Sequence, residues 1–283
     1  MVENRPFFDT LTHIVLILGI ILIAFPIWIT FVAATHDLAR MSQAPIPIWP
    51  GTHFFENLKL ALEGKVVAGV DILPVWKMMV NSLVMALMIA IGKIFISILS
   101  AYAIVYFDFP FRMGFFWMIF ITLMLPVEVR ILPTFEVVAS LGMLNSYLGL
   151  TVPLIASATA TFMFRQVFLT IPDEMLESAR IDGAGPVRFF FDMLLPLSRT
   201  NIAALFVILF IYGWNQYMWP LLITTDSSLS TVVVSIKEML DSAERTPEWN
   251  TIMMTALLAM LPPILVIVSM QNLFVKGLTE TDK

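Results

Sequence analysis

The chain has 283 residues, of which 59% are hydrophobic and 13% charged, and a formal charge of −5. A soluble domain carries about a quarter charged residues, so this is the composition of an integral membrane protein with little material left for an appended enzyme domain. The acidic balance and the lack of a clustered Lys/Arg run exclude a nucleic-acid surface, and the absence of cysteine excludes disulfides, thiolate zinc sites and thiol nucleophiles. His13, His36 and His53 are scattered without metal-ligand spacing, so no metal site is expected.

Six apolar segments predict an all-α, polytopic membrane protein with spans at about 11–33, 78–107, 113–127, 147–164, 200–223 and 251–275 of a single transmembrane domain. Each must be helical, because a span in lipid has to satisfy its backbone hydrogen bonds internally. Arg5 precedes the first segment and Val32-Ala33-Ala34 resembles a signal-peptidase site. Its apolar run exceeds the usual 7 to 15 residues of a signal core, so a retained anchor is expected. Pro45, Pro47, Pro50 and Gly51 punctuate the next loop against a regular helix. The second segment carries Lys93 at mid-span, where a charge is costly and faces a bundle interior or a water-filled cavity. Two readings stand: Lys93 attracts a phosphate group in transit, or it pairs with a carbonyl or an acid of a partner permease.

The third segment is short, and a helix continuing through Pro126 towards Pro133 would carry Glu128 and Arg130 near the interface. An interfacial ion pair is the expectation for those two, ahead of substrate contact. In the fifth segment Asn215, Gln216 and Tyr217 interrupt an apolar run, and interhelical hydrogen bonding is the simple explanation for Asn215. Trp49, Trp76, Trp219 and Trp249 fall near span ends and are expected to be aromatic interface anchors. The 19 methionines are spread over several spans and read as adaptable packing. Basic residues divide eight to seven between the two sides of the six-span arrangement, but the eight sit in shorter loops, which places both termini in the cytoplasm.

Between the fourth and fifth spans, residues 165–199 are too polar to cross and too patterned for a plain linker. Pro172 suits a first helical turn, Asp173 and Glu174 suit its positive end, and Gly183 suits a left-handed cap. Pro186 then opens a second short helix that ends before Leu195-Pro196. A lipid-surface helix would carry a basic polar face. Here Asp173, Glu174, Glu177 and Asp182 outnumber Arg180, which favours a protein partner. No phosphate-binding loop exists for ATP, because Gly64-Lys65 and Gly92-Lys93 are followed by Val66 and Ile94 and lack the upstream glycine. Nor does any Ser/His, paired Asp or His-x-x-x-His constellation accompany the spans, so no catalytic residue is expected.

Glu177-Ser178-Ala179, Gly183, Met193 and Leu195-Pro196 have the residue types and spacing of the cytoplasmic loop in permease subunits of ATP-binding-cassette importers, which this chain resembles. Ser178 stands for the usual Ala, Met193 for Ile, and Thr200 for a further Pro in many relatives. Asn81-Ser82, Ala101-Tyr102-Ala103, Leu132-Pro133, Trp214-Asn215, Trp219-Pro220 and Lys276-Gly277-Leu278 extend the likeness to the second permease of the carbohydrate-type subfamily. Asp108 stands near a position where relatives often have a basic residue, which leaves a basic contact there without support.

The resemblance implies a type I importer permease fold in the bacterial inner membrane. It implies a complex with a second, different permease, two ATPase subunits that hold ATP and Mg, and a periplasmic substrate-binding protein. This chain itself would bind no cofactor. Glu177, Ser178, Ala179, Asp182, Gly183, Ala184, Leu195 and Pro196 would dock the ATPase, and Lys93, Trp214, Asn215 and Tyr217 would lie near the substrate pathway. Within the subfamily the implied cargo is sn-glycerol-3-phosphate, with glycerophosphodiesters beside it and a neutral oligosaccharide as the alternative. A stand-alone secondary transporter is the more distant alternative.

Overall fold

The computed structural model describes residues 6–67, 70–125, 127–241 and 247–279. In chain order the helices begin with α1 (Pro6–Ala34), α2 (Leu38–Met41), α3 (Phe54–Glu63), α4 (Val75–Tyr106), α5 (Arg112–Ile121) and α6 (Val127–Ser140). They continue with α7 (Tyr147–Thr151), α8 (Ala158–Leu169), α9 (Asp173–Ile181), α10 (Pro186–Phe189) and α11 (Leu195–Leu197). The last are α12 (Arg199–Trp214), α13 (Met218–Ile223), α14 (Val232–Asp241) and α15 (Trp249–Thr279). A two-stranded antiparallel ribbon pairs β1 (Lys65–Val67) with β2 (Val70–Ile72), with Val66 opposite Asp71.

Stretches Thr10–Ala34, Val75–Tyr106 and Trp249–Gln271 are long and apolar enough to cross a membrane. Two further stretches reach that length and apolarity only as bent helix pairs. Tyr147–Leu154 meets Ala158–Leu169 at 48°, and Pro186–Leu197 meets Arg199–Trp214 at 71°. The third predicted segment yields only the ten residues of α5 and a 3₁₀ turn at Thr122–Met124. At 1.5 Å per residue α5 rises about 15 Å, half the hydrocarbon thickness. The six apolar segments therefore correspond to three long helices, the bent pair within 147–169, α12 followed by α13, and one short apolar helix.

The chain groups into two compact units, Met1–Lys77 with Ser235–Leu261 and Met78–Val234 with Pro262–Lys283. In the first, a buried asparagine organises the end of α1. The Asn57 Nδ2 donates to the Ala34 carbonyl at 2.9 Å and the His36 carbonyl at 2.8 Å, and its Oδ1 accepts from Asn250 Nδ2 at 2.9 Å. The proline-punctuated loop is held by Trp28, whose indole N–H donates to the Ile48 carbonyl at 3.0 Å.

In the second unit α4 packs closely on α12. A Cβ on Gly213 would lie 2.9 Å from Ala86 Cα and 3.3 Å from its carbonyl oxygen, so glycine sets that helix separation. Met85 and Ile89 of α4, Val138, Leu150, Trp219 and Ile223 form one buried apolar cluster. At the start of α4, Asn81 Nδ2 donates to the carbonyls of Ser228 and Ser230, both at 3.0 Å, and its Oδ1 accepts from the Tyr147 hydroxyl. Asn145, in a left-handed conformation with φ 51°, accepts the N–H groups of Thr225 and Asp226 on Oδ1 at 2.7 and 3.0 Å. These bonds tether the 224–231 connection.

The tryptophans divide. Trp49 is 77% exposed and Trp76 is exposed. Trp219 is 3% exposed, and its indole N–H donates to the Gly149 carbonyl at 3.1 Å. The interface-anchor expectation fails for Trp219, because the helix break after Trp214 turns α13 into the apolar cluster.

Candidate coupling element and polar cavity

The element between the bent spans starts with α9, capped by Pro172 in an extended conformation and opened by Asp173 and Glu174. Both carboxylates sit at the positive end of the helix. At the other end Gly183 adopts φ 72°, its N–H reaches the Arg180 carbonyl at 3.1 Å, and the Ala184 N–H reaches the Ala179 carbonyl at 2.9 Å. Those two bonds make a Schellman cap, which needs a left-handed residue at position 183. Nothing lies within 4 Å of a Cβ built on Gly183, so within this chain the requirement is conformational.

From Pro186 the chain runs through α10, a π-turn at Phe190–Leu194 and α11. Pro196 has no N–H to give to the Asp192 carbonyl, and such a gap loosens the ladder into a wider turn. Ala179, Phe189, Phe190 and Leu194 are buried, while Glu177, Ser178, Asp182, Gly183 and Pro196 are exposed and Ala184 and Leu195 half-buried. Ile181 is 86% exposed beside Asp182.

The end of α4 buttresses this element. The Tyr102 hydroxyl donates to the Pro186 carbonyl at 2.9 Å, and its ring lies 5.1 Å from Phe190. The Tyr106 ring lies 5.3 Å from Phe189 and 6.0 Å from Phe168. Tyr102→Phe is expected to weaken the contact by about 1 kcal/mol. The thermal unfolding midpoint of the purified protein should fall accordingly, and an unchanged midpoint would remove this bond from the support of the element.

A cavity of about 480 Å³ in the same unit is lined by Lys93, Arg130, Thr134, Tyr212, Asn215, Gln216 and Tyr217 among apolar neighbours. Lys93 Nζ sits 3.6 Å from the centroid of the Tyr212 ring, a cation–π contact. Gln216 Nε2 donates to the Tyr212 carbonyl at 3.1 Å, where α12 has ended. Three of the four residues expected near a pathway, Lys93, Asn215 and Tyr217, thus share one cavity. Trp214 does not line it: it is buried and stacked on Phe210 at 5.9 Å. For Arg130 the expectation is an interfacial ion pair with Glu128. The Glu128 side chain lies outside the described residues, and Arg130 lines the cavity. Among the described residues no group of three or more His, Asp or Glu side chains is arranged to hold a metal.

Residues 93–280 match the family described as binding-protein-dependent transport system inner membrane component. The chain is also 58% identical, over the full length of both, to the sn-glycerol-3-phosphate transport system permease proteins UgpE of Agrobacterium fabrum and Brucella melitensis. The Escherichia coli protein of that name is 57% identical over the same extent. The chain belongs to the binding-protein-dependent inner-membrane components. Among solved structures, that of a bacterial ABC transporter involved in import of the acidic polysaccharide alginate superposes with a TM-score of 0.80. It covers 96% of this chain and 98% of the other at 18% identity, so it speaks for the fold. This inner-membrane component is therefore an all-α transport permease of the ABC importer fold, built on several apolar helices.

Proposed function

We propose that this chain is one of two permease subunits of an ATP-binding-cassette importer that carries sn-glycerol-3-phosphate from periplasm to cytoplasm. The observation that carries the reading is full-length 58% identity to permeases named for that substrate. The cavity lined by two cations, Lys93 and Arg130, suits a phosphorylated cargo.

In this reading both termini are cytoplasmic in the bacterial inner membrane, and the α9–α10 element meets a groove of an ATPase subunit. Glu177, Ser178, Asp182 and Gly183 face that subunit, while Ala179 packs inward and Ala184, Leu195 and Pro196 set the bend. Two ATPase subunits supply ATP and Mg, this chain binds no cofactor, and a periplasmic binding protein delivers cargo to this permease and its different partner. Closure of the ATPase pair moves the element as a lever, and the bent spans attached to it switch access between the two sides.

The test is uptake into proteoliposomes holding the complete importer. Labelled sn-glycerol-3-phosphate should accumulate with ATP and loaded binding protein, while an ion gradient alone should give none. Accumulation of a neutral oligosaccharide in its place overturns the substrate, and uptake driven by a gradient without ATP overturns the importer.

A further inference from the structure

Lys93 is the buried charge of the cavity. It is 7% exposed, and the contact of its ammonium is with the Tyr212 ring. Arg130, from a different helix, lines the same space, and among the described residues no Asp or Glu side chain lines it. Among the described residues neither cation takes part in an ion pair. A ring face offsets only part of the hydration that a buried ammonium gives up, and a second cation nearby adds repulsion. Lys93 is buried and Arg130 is exposed at the cavity wall, so an anion entering the cavity would be attracted by both cations and would relieve their repulsion.

We propose that this cavity is an anion-binding site for a phosphate monoester, with Lys93 supplying a point charge and Arg130 a two-pronged donor. Thr134, Asn215, Gln216 and Tyr217 add polar groups around it, and the volume is that of a small-molecule site. The Tyr212 ring holds Lys93 between cargoes and releases it to the phosphate. The assignment rests on the substrate reading above and deepens it by naming the side chains of this permease that meet the charged end of the cargo.

The chain lacks cysteine, so Thr134→Cys places a single thiol of this subunit in the cavity. In the complete importer, with native cysteines of the other subunits replaced, labelling by an anionic methanethiosulfonate is compared with labelling by a cationic one. With each rate divided by that reagent's rate with a small thiol in solution, the anionic reagent should react on the order of tenfold faster, since a charged cleft concentrates counter-ions to that degree. Inorganic phosphate should slow it. The additional substitutions Lys93→Gln and Arg130→Gln should bring the ratio to near one, and in the cysteine-bearing native background they should raise the KM for uptake about tenfold with assembly intact.

Equal labelling rates, a thiol inert to both reagents, or unchanged uptake in the double variant each overturn the site. Loss of the partner permease from the purified Lys93→Gln complex also overturns it, because the cations then serve a carboxylate of that subunit. The labelling ratio is read without cargo. A neutral cargo with an intact ratio therefore discards the substrate reading alone, and a ratio of one with phosphorylated cargo discards the site alone.

Discussion

Gly183→Val is expected to abolish uptake while leaving the protein in the membrane. Position 183 sits at φ 72°, where an L-residue pays about 1–2 kcal/mol and a β-branched one is a clear outlier. Relief of that strain would break the Ala184-to-Ala179 and Gly183-to-Arg180 bonds and swing Asp182, Gly183 and Pro186 away from their present line. The rest of the unit is anchored elsewhere, through α4, α12 and the apolar cluster, so folding and insertion should survive. Open space around a Cβ means that steric conflict within the chain does not contribute. Gly183→Asn, which tolerates the left-handed region, should therefore retain more activity than Gly183→Val. Uptake and cargo-stimulated ATP turnover of purified complex are the measurements. Normal uptake by Gly183→Val would remove the element from coupling.

Trp219→Ala is expected to destabilise the second unit by about 3–5 kcal/mol, the range for deleting a large buried aromatic ring. The ring is 3% exposed among Met85, Ile89, Val138, Leu150 and Ile223, so its loss leaves a cavity that fixed helices cannot collapse to fill. The Gly149 carbonyl would also lose its N–H partner in a buried setting. Trp219→Phe separates the two effects, since it keeps most of the apolar volume and loses the hydrogen bond, for about 1–3 kcal/mol. The checks are the thermal unfolding midpoint of the purified complex and the amount of protein in membranes. An unchanged midpoint in the alanine variant would contradict the placement of Trp219.

The α9 element was legible because its signals are local. Pro172, the paired acids and Gly183 state a start, a polarity and a stop within a dozen residues, and α9 ends in the cap that this glycine permits. The burial of Trp219 was not legible, since a tryptophan followed by proline near the end of an apolar run reads as an interface anchor in one dimension. Only the break between Trp214 and Met218 turns it inward. The same break divides what reads as one fifth span, because hydrophobicity continues past a point where the helix does not. Arg130 escaped assignment for a related reason: Glu128 two residues away offers an obvious partner in sequence, whereas its cavity neighbours Lys93 and Tyr212 lie far along the chain. Tyr102 was visible as part of a family triplet, but its bond to Pro186 spans 84 residues.

A photo-crosslinking residue at Ile181 in the complete importer asks whether α9 and its glycine bend are the connection to an ATPase. Its exposure of 86% makes the side chain available to whatever meets this face. A single protein adduct with the ATPase subunit is expected, diminished in the Gly183→Val background. Adducts to lipid alone, or an unchanged yield when the ATPase subunits are absent, would contradict that connection.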